Sequence, residues 1–183
     1  MAGPVSVGAV LVLENFDVAR EFPGVRDSKK LSEDKRENIY ASLRARAKRG
    51  DVRFCVRFSS HLYIDEFGIT RAVRRAVWNG VRYLAPEPEG VRVLLDGLLQ
   101  APREYEQETI IHGDDIVPLI SLASIAAKVE RDRLMKRLAK RFPQYGFERH
   151  KGYPTRAHYA ALQDFGLCAM HRRRYCGGFS GVL

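Results

Sequence analysis

Cysteine is scarce in this chain. Among 183 residues there are three, Cys55, Cys168 and Cys176, and their spacing fits no metal-binding pattern. An odd count with no signal peptide argues for a reducing cytosol, so the expected localisation is cytoplasmic. Also missing are an apolar run long enough to span a bilayer and a lipidation signal, so no membrane partner is expected. No internal repeat, low-complexity segment or linker interrupts the chain, and its length suits one domain. Negative charge is in deficit. Lys and Arg number 31 against 22 Asp and Glu, a net charge of +9. That balance points to a polyanionic partner, of which nucleic acid is the usual one. At 45% hydrophobic and 10% aromatic, the chain buries a core and is not disordered.

What is present concentrates between Val91 and Arg141. The apolar run Val91-Arg92-Val93-Leu94-Leu95 ends on Asp96-Gly97, and a second run, Thr109-Ile110-Ile111, leads to His112-Gly113-Asp114-Asp115. Asp96 and Asp114 therefore each sit where an apolar run stops. A carboxylate at the end of a buried strand is rigidly held yet reaches solvent, a suitable place to hold a metal ion. Pro118 then opens a long helical pattern, for which Asp114 or Asp115 is the expected cap. Its first half carries Ser121, Ala123, Ser124, Ala126 and Ala127, small side chains that let a helix approach a sheet closely.

Upstream, Val5 to Leu13 reads as a strand buried on both faces, with Gly8 inside it. It begins almost at residue 1, with nothing ahead of it to pair one of its edges. Asp27-Ser28-Lys29-Lys30-Leu31-Ser32 is a polar loop into a helix, with Ser32 as N-cap, Glu33 and Asp34 in the first turn and Tyr40, Leu43 and Ala47 as its apolar face. Lys29 and Lys30 read either as solvated charges or as a phosphate grip near a helix start. Val52 to Ser59 alternates like a strand with one buried face. Ile64, Phe67, Val73, Val77 and Val81 recur at helical spacing up to Leu84, and residues 85–90 form a turn. From Arg131 to Arg174 there are 12 Lys and Arg against three Asp and Glu, interleaved with Phe142, Tyr145, Phe147, Tyr153 and Tyr159. Basic residues among aromatics suit phosphate contact with stacking on a sugar or base. The alternative is a solvated helix face over core aromatics.

These residues carry a family resemblance. Leu95-Asp96-Gly97, Gly113-Asp114 with Val117-Pro118, Ala123-Ser124-Ile125-Ala126-Ala127-Lys128-Val129 with Arg131-Asp132, Phe142-Pro143-Gln144-Tyr145-Gly146-Phe147, His150-Lys151-Gly152-Tyr153-Pro154-Thr155 and His171-Arg172-Arg173 resemble, in this order, bacterial ribonuclease HII, the type 2 ribonucleases H. The loop from Asp27 to Ser32 matches as well. Two departures stand out. Members of that family begin with a strand ending in Asp-Glu and a Gly-Arg-Gly loop, whereas here Met1-Ala2-Gly3-Pro4-Val5 falls on the entry to the next strand. Arg174-Tyr175 stands where Ser-Phe is usual.

The resemblance implies a ribonuclease-H-like α/β fold, a mixed sheet flanked by helices, as a single domain with a basic helical region over 142–183. The strand absent from this chain would be the central one, between Val5–Leu13 and Val91–Leu95. Those two strands are expected to flank an empty slot or to collapse into another pairing. The implied activity is endonucleolytic cleavage of the RNA strand of RNA–DNA hybrids, and at single ribonucleotides in duplex DNA, leaving 5′-phosphate and 3′-hydroxyl ends. Two divalent cations, Mn²⁺ or Mg²⁺, would sit on four carboxylates, one activating water and the other stabilising the leaving oxygen. Asp96 and Asp114 match two of the four, as metal ligands and catalytic residues. Lys29, Lys30, Lys151, Arg172 and Arg173 would contact nucleic acid, with Tyr153 packing on the sugar beside the cut; Asp132 would be structural. With two carboxylates unaccounted for, residues 1–183 alone are expected to be inactive. The family expectation is a monomer. The competing reading is a nucleic-acid-binding remnant without catalysis.

Overall fold

The computed structural model describes residues 1–26 and 28–179, so Asp27 of the early loop lies outside the described residues. The chain runs β1 (Val5–Leu11), α1 (Val18–Glu21), α2 (Glu33–Arg49), β2 (Arg53–Ser59), α3 (His61–Phe67), α4 (Ile69–Leu84), β3 (Arg92–Asp96), β4 (Glu106–Ile110), α5 (Gly113–Ile116), α6 (Pro118–Arg141), α7 (Phe147–His150) and α8 (Arg156–Phe165). The described residues divide into two compact units. One holds 6–57 and 73–129; the other holds 1–5, 58–72 and the described part of 130–183. No described helix is long and apolar enough to cross a membrane.

The first unit is α/β. Ser32 caps α2 as expected, its Oγ accepting from the Lys35 N–H at 3.3 Å, and Gly50 ends the helix in the left-handed region at φ 87°. Tyr40 and Leu43 on α2 pack with Val18, Phe22, Val52, Leu122 and Ile125 into one core. A second core gathers Val77, Val81, Leu95, Ala101 and Tyr105. The small residues of α6 act as the sequence suggests. A side chain at Gly8 would come within 2.0 Å of the Ala123 carbonyl oxygen, so glycine is what lets β1 lie directly on this helix.

The strands form two separate pairs, β1 with β2 and β3 with β4. β3 and β4 run parallel, with Arg92 opposite Glu106 and Asp96 opposite Ile110. Residues 6–11 of β1 and the whole of β3 line the same cavity of about 320 Å³, with Val73, Val77 and Val81 of α4 and Ala123 and Ala127 of α6 completing its walls. The two strands thus flank a slot, the first of the two outcomes expected from the sequence. The slot also accounts for a correction. β1 is not buried on both faces: it ends at Leu11, and all seven of its residues are half-buried, because among the described residues no strand lies beside the edge that faces the cavity.

Two further expectations change. The helical spacing from Ile64 to Leu84 is interrupted at Gly68, which adopts φ 83°, ψ 162° and separates α3 from α4. That conformation suits glycine and ends a helix whatever the apolar spacing on either side. Neither Asp114 nor Asp115 lies next to the Pro118 helix as a cap. Both lie in the first turn of α5, and Val117, with extended backbone, separates that turn from α6.

In the second unit, Met135, Leu138, Tyr145, Phe147, Leu162 and Cys176 form the core. Tyr145 and Phe147 are core aromatics, their rings stacked at 5.5 Å, whereas Tyr153 and Tyr159 are 50% and 43% exposed. The aromatics of the basic stretch therefore divide between the two readings the sequence left open.

Candidate active site

Parallel pairing in register brings the C-terminal ends of β3 and β4 to the same end of their sheet. The ladder extends one step further, with the Gly97 N–H donating to the Ile110 carbonyl at 2.9 Å. Asp96 closes β3, and α5 follows β4 after two residues. The Asp114 backbone N–H donates to Asp96 Oδ1 at 3.4 Å, which sets the two acidic residues side by side. A Cβ at Gly113 would meet Asp96 Oδ1 at 3.5 Å, an ordinary contact, and Ile120 Cδ1, the far end of a movable side chain, at 2.7 Å. The Ser121 hydroxyl donates to the Asp114 carbonyl at 2.7 Å and ties α5 to α6. Asp114 is buried, at 8% exposure, and both carboxylates border the apolar slot.

The early lysines come to the same place. Lys29 Nζ lies 3.2 Å from Asp114 Oδ2. Lys30 Nζ donates to both oxygens of Asp115, at 2.7 and 2.6 Å, and this hydrogen bond holds the Asp115 carboxyl below its ordinary range. The loop is fixed from behind: the hydroxyls of Ser28 and Ser124 are 3.1 Å apart, and the Arg36 guanidinium donates to the Ser28 carbonyl at 2.9 Å. The side chains of Lys29 and Lys30 stay 78% and 53% exposed. Each rests on a carboxylate. Asp115 was legible only as a helix cap; the matching doublets Lys29-Lys30 and Asp114-Asp115 were the signal for this double pairing.

The remaining sequence-predicted residues belong to the second unit. Lys151 is buried at 8% exposure and adopts φ 50°, with its ammonium donating to the Glu148 carbonyl. The Arg131 guanidinium lies 5.0 Å from the centre of the Tyr153 ring and Arg131 Nε donates to the Pro4 carbonyl at 3.0 Å. Arg172 Nε donates to the Gly3 carbonyl at 2.9 Å. Asp65 accepts from the backbone N–H groups of Arg173 and Arg174 at 2.8 and 3.1 Å, so it holds the basic late loop in shape. Asp65 did not stand out in the sequence, because it acts on the backbone of a distant segment.

With this geometry in place, comparison with known proteins is decisive. The profile of the ribonuclease HII family matches residues 1–177. The chain belongs to the ribonuclease HII family. It is 41% identical over 175 residues to ribonuclease HII of Bacillus cytotoxicus, covering 96% of this chain and 63% of that protein. It is likewise 41% identical over 178 residues to ribonuclease HII of Shewanella loihica, covering 94% of this chain and 82% of the other. The chain thus spans under two thirds of the length of the Bacillus relative. Among solved structures it resembles ribonuclease HII in a PCNA:RNase HII complex from Archaeoglobus fulgidus, with a TM-score of 0.75 at 23% identity over 97% of this chain and 88% of that one. It also resembles ribonuclease H2 from Pyrococcus horikoshii, with a TM-score of 0.74 at 22% identity over 94% and 87%. These likenesses establish the ribonuclease-H-like α/β fold.

Family membership implies divalent metal. The donor set of this ribonuclease HII chain fits such an ion in kind: Asp96 and Asp114 offer hard carboxylate oxygens, and a cation, the Lys29 ammonium, already sits against one of them. Among the described residues, no group of three or more His, Cys, Asp or Glu stands close enough to hold a metal ion.

Proposed function

We propose that this ribonuclease HII chain serves an endonuclease that cuts the RNA strand of RNA–DNA hybrids, and duplex DNA at single embedded ribonucleotides, leaving 5′-phosphate and 3′-hydroxyl ends. The observation that carries this reading is the meeting of Asp96 and Asp114 at one end of the β3–β4 sheet, linked by the Asp114 N–H and bordered by two lysines. Asp96 and Asp114 would hold Mn²⁺ or Mg²⁺. Bound there, divalent cations would acidify the attacking water and offset charge on the leaving oxygen. The chain's own groups do the rest. Lys29 balances the Asp114 charge and is exposed enough to meet a backbone phosphate. Lys30 does the same beside Asp115. Tyr153 packs against the sugar next to the cut, where the 2′-hydroxyl distinguishes ribose from deoxyribose. Arg172 and Arg173, with Lys151, contact the backbone. We place the enzyme in the cytoplasm as a monomer.

A second reading is binding without cutting, favoured by the finding that among the described residues no group of three or more His, Cys, Asp or Glu stands close enough to hold a metal ion. The test is cleavage of a duplex carrying one ribonucleotide with Mn²⁺. Residues 1–183 would be compared with a form extended ahead of Met1 by an Asp-Glu strand. Cutting by the extended form alone is the expected result. Failure of both to cut, with both folded, would remove the proposed activity.

A further inference from the structure

Three histidines of the second unit, His150, His158 and His171, lie buried at 9%, 0% and 2% exposure, and no step above uses them. The His150 and His158 rings stack at 4.3 Å, and the Nε2 atoms of His158 and His171 are 3.0 Å apart. Their protons can be assigned from their partners. The Tyr153 carbonyl can only accept, so His158 Nδ1, at 2.9 Å, carries hydrogen. Neutral His158 Nε2 is then an acceptor, and His171 Nε2 must donate to it. The far side of His171 agrees: with Nε2 donating, the neutral ring leaves Nδ1 to accept from the Cys168 N–H at 2.9 Å, the shorter of its two contacts, the Cys168 carbonyl lying at 3.3 Å. His150 Nδ1 accepts from the Gly152 N–H at 3.2 Å, which leaves its Nε2 to donate to the Tyr145 carbonyl at 2.7 Å. All six ring nitrogens are satisfied with three neutral rings.

The relay ends on the backbone of Gly152 and Tyr153. That segment is under constraint. Lys151 and Gly152 both have positive φ, 50° and 78°, and a Cβ at Gly152 would meet the Ala2 carbonyl oxygen at 2.6 Å. A left-handed pair persists only where its surroundings hold it, and here the holding groups include the Met1 ammonium and the Ala2 N–H, which donate to the Gly152 carbonyl at 2.9 and 3.1 Å, the backbone bonds from Lys151 to Phe147 and from Tyr153 to His150, and the two histidines.

We infer that His158, locked by His171 and flanked by His150, is a positioning residue that fixes the Tyr153 ring against Arg131 and so sets discrimination between a ribonucleotide and a deoxyribonucleotide. The inference rests on the reading that Tyr153 meets the sugar. Its own content, that the relay holds the ring, is separable from that reading.

The experiment uses residues 1–183 with four variants. His158→Leu removes the donor to Tyr153, His158→Asn keeps an N–H near the Nδ1 position, Leu162→Ala opens a cavity in the same core without touching the relay, and Tyr153→Ala tests the sugar reading. The first readout is the NMR shift of the Arg131 side-chain protons, moved upfield by the Tyr153 ring. It should collapse in His158→Leu and persist in His158→Asn and Leu162→Ala. The second is the ratio of affinities for a duplex with one ribonucleotide and its all-DNA counterpart. His158→Leu should lower that ratio as much as Tyr153→Ala does, by about tenfold. An intact Arg131 shift in His158→Leu, or an equal loss in Leu162→Ala, overturns the relay. An unchanged ratio in Tyr153→Ala overturns the sugar reading and leaves the relay to be decided by the Arg131 shift. Should His158→Leu not fold, ring-nitrogen spectra of the unaltered chain decide: hydrogen on Nδ1 of His158 and on Nε2 of His150 and His171 is expected, and hydrogen on Nε2 of His158 overturns it.

Discussion

Asp96 has two separable duties. Its charge is what a metal ion would need, whereas its Oδ1 accepts the Asp114 N–H that aligns the two residues. Asp96→Asn keeps an acceptor at that position and removes the charge. The extended form of the enzyme carrying this change is therefore expected to fold and bind hybrid duplex normally yet cut at least about a hundredfold more slowly, since losing even an outer partner of a metal ligand typically costs about 10–100-fold. Near-normal cutting at saturating Mg²⁺ would show that Asp96 is not a ligand. His158 and His171 illustrate the opposite situation, buried groups whose neutrality supports the fold. Burial, reinforced for His171 by its neighbour His158, lowers both from 6.5 to about 4. The neutral rings are the folded-state form, so their contribution is complete above pH 6.5 and is lost as pH falls from 6.5 toward 4. Each can weaken the folding equilibrium by up to about tenfold per pH unit across that window. Urea unfolding at pH 7.5 and pH 5 should show this loss, and His171→Asn, which has no such proton to gain, should flatten the dependence. A pH dependence unchanged in that variant would remove His171 as a source.

At the level of helices and strands, the sequence was most informative where local patterning decides the outcome. β3 ending at Asp96, the capped start of α2 at Ser32 and the start of α6 at Pro118 all follow from neighbours in sequence. Pairings across the chain were not visible in this way. Lys29 and Asp114 are 85 residues apart, and nothing in either segment alone states that an ammonium will rest on that carboxylate. The break at Gly68 was hidden because apolar spacing continues on both sides of it. The two-faced burial expected of β1 followed its composition alone, although the missing neighbour beside it was itself legible, and all seven of its residues are half-buried. That last point yields a prediction. β1 and β3 each have a free edge toward the slot, and each buried backbone group left unpaired costs about 1–3 kcal/mol. Extending residues 1–183 with a strand able to fill the slot should raise the melting temperature by at least about 5 °C and sharpen the transition. The unextended form should aggregate more readily through those edges. Equal melting of the two would mean that the slot is not a strand site.

Over the whole molecule the net charge of +9 is a starting point for binding polyanions, but many of the cations proposed to meet nucleic acid are already engaged. Lys29 and Lys30 rest on Asp114 and Asp115, and the Lys151 ammonium is turned to the Glu148 carbonyl. A cation balanced by the protein's own carboxylate gains little on meeting a phosphate until that pair opens. Counterion release amounts to about 0.9 per phosphate neutralised on duplex DNA. Five fully engaged cations, Lys29, Lys30, Lys151, Arg172 and Arg173, would give a slope of log affinity against log salt near −4.5, whereas Arg172 and Arg173 alone would give about −2. The slope for residues 1–183 should fall between these limits, and a salt-independent affinity would remove the nucleic-acid reading of this surface. Asp115→Asn sharpens the test. Asp115 is exposed and lies outside the Asp96–Asp114 contact, so the change should leave the fold intact while freeing Lys30. Affinity at low salt should rise, and the slope should steepen by about one unit. Fluorescence anisotropy across a salt series measures both. If the slope does not move, Lys30 does not reach a phosphate, and the lysine pair serves only to steady the carboxylates beside the slot.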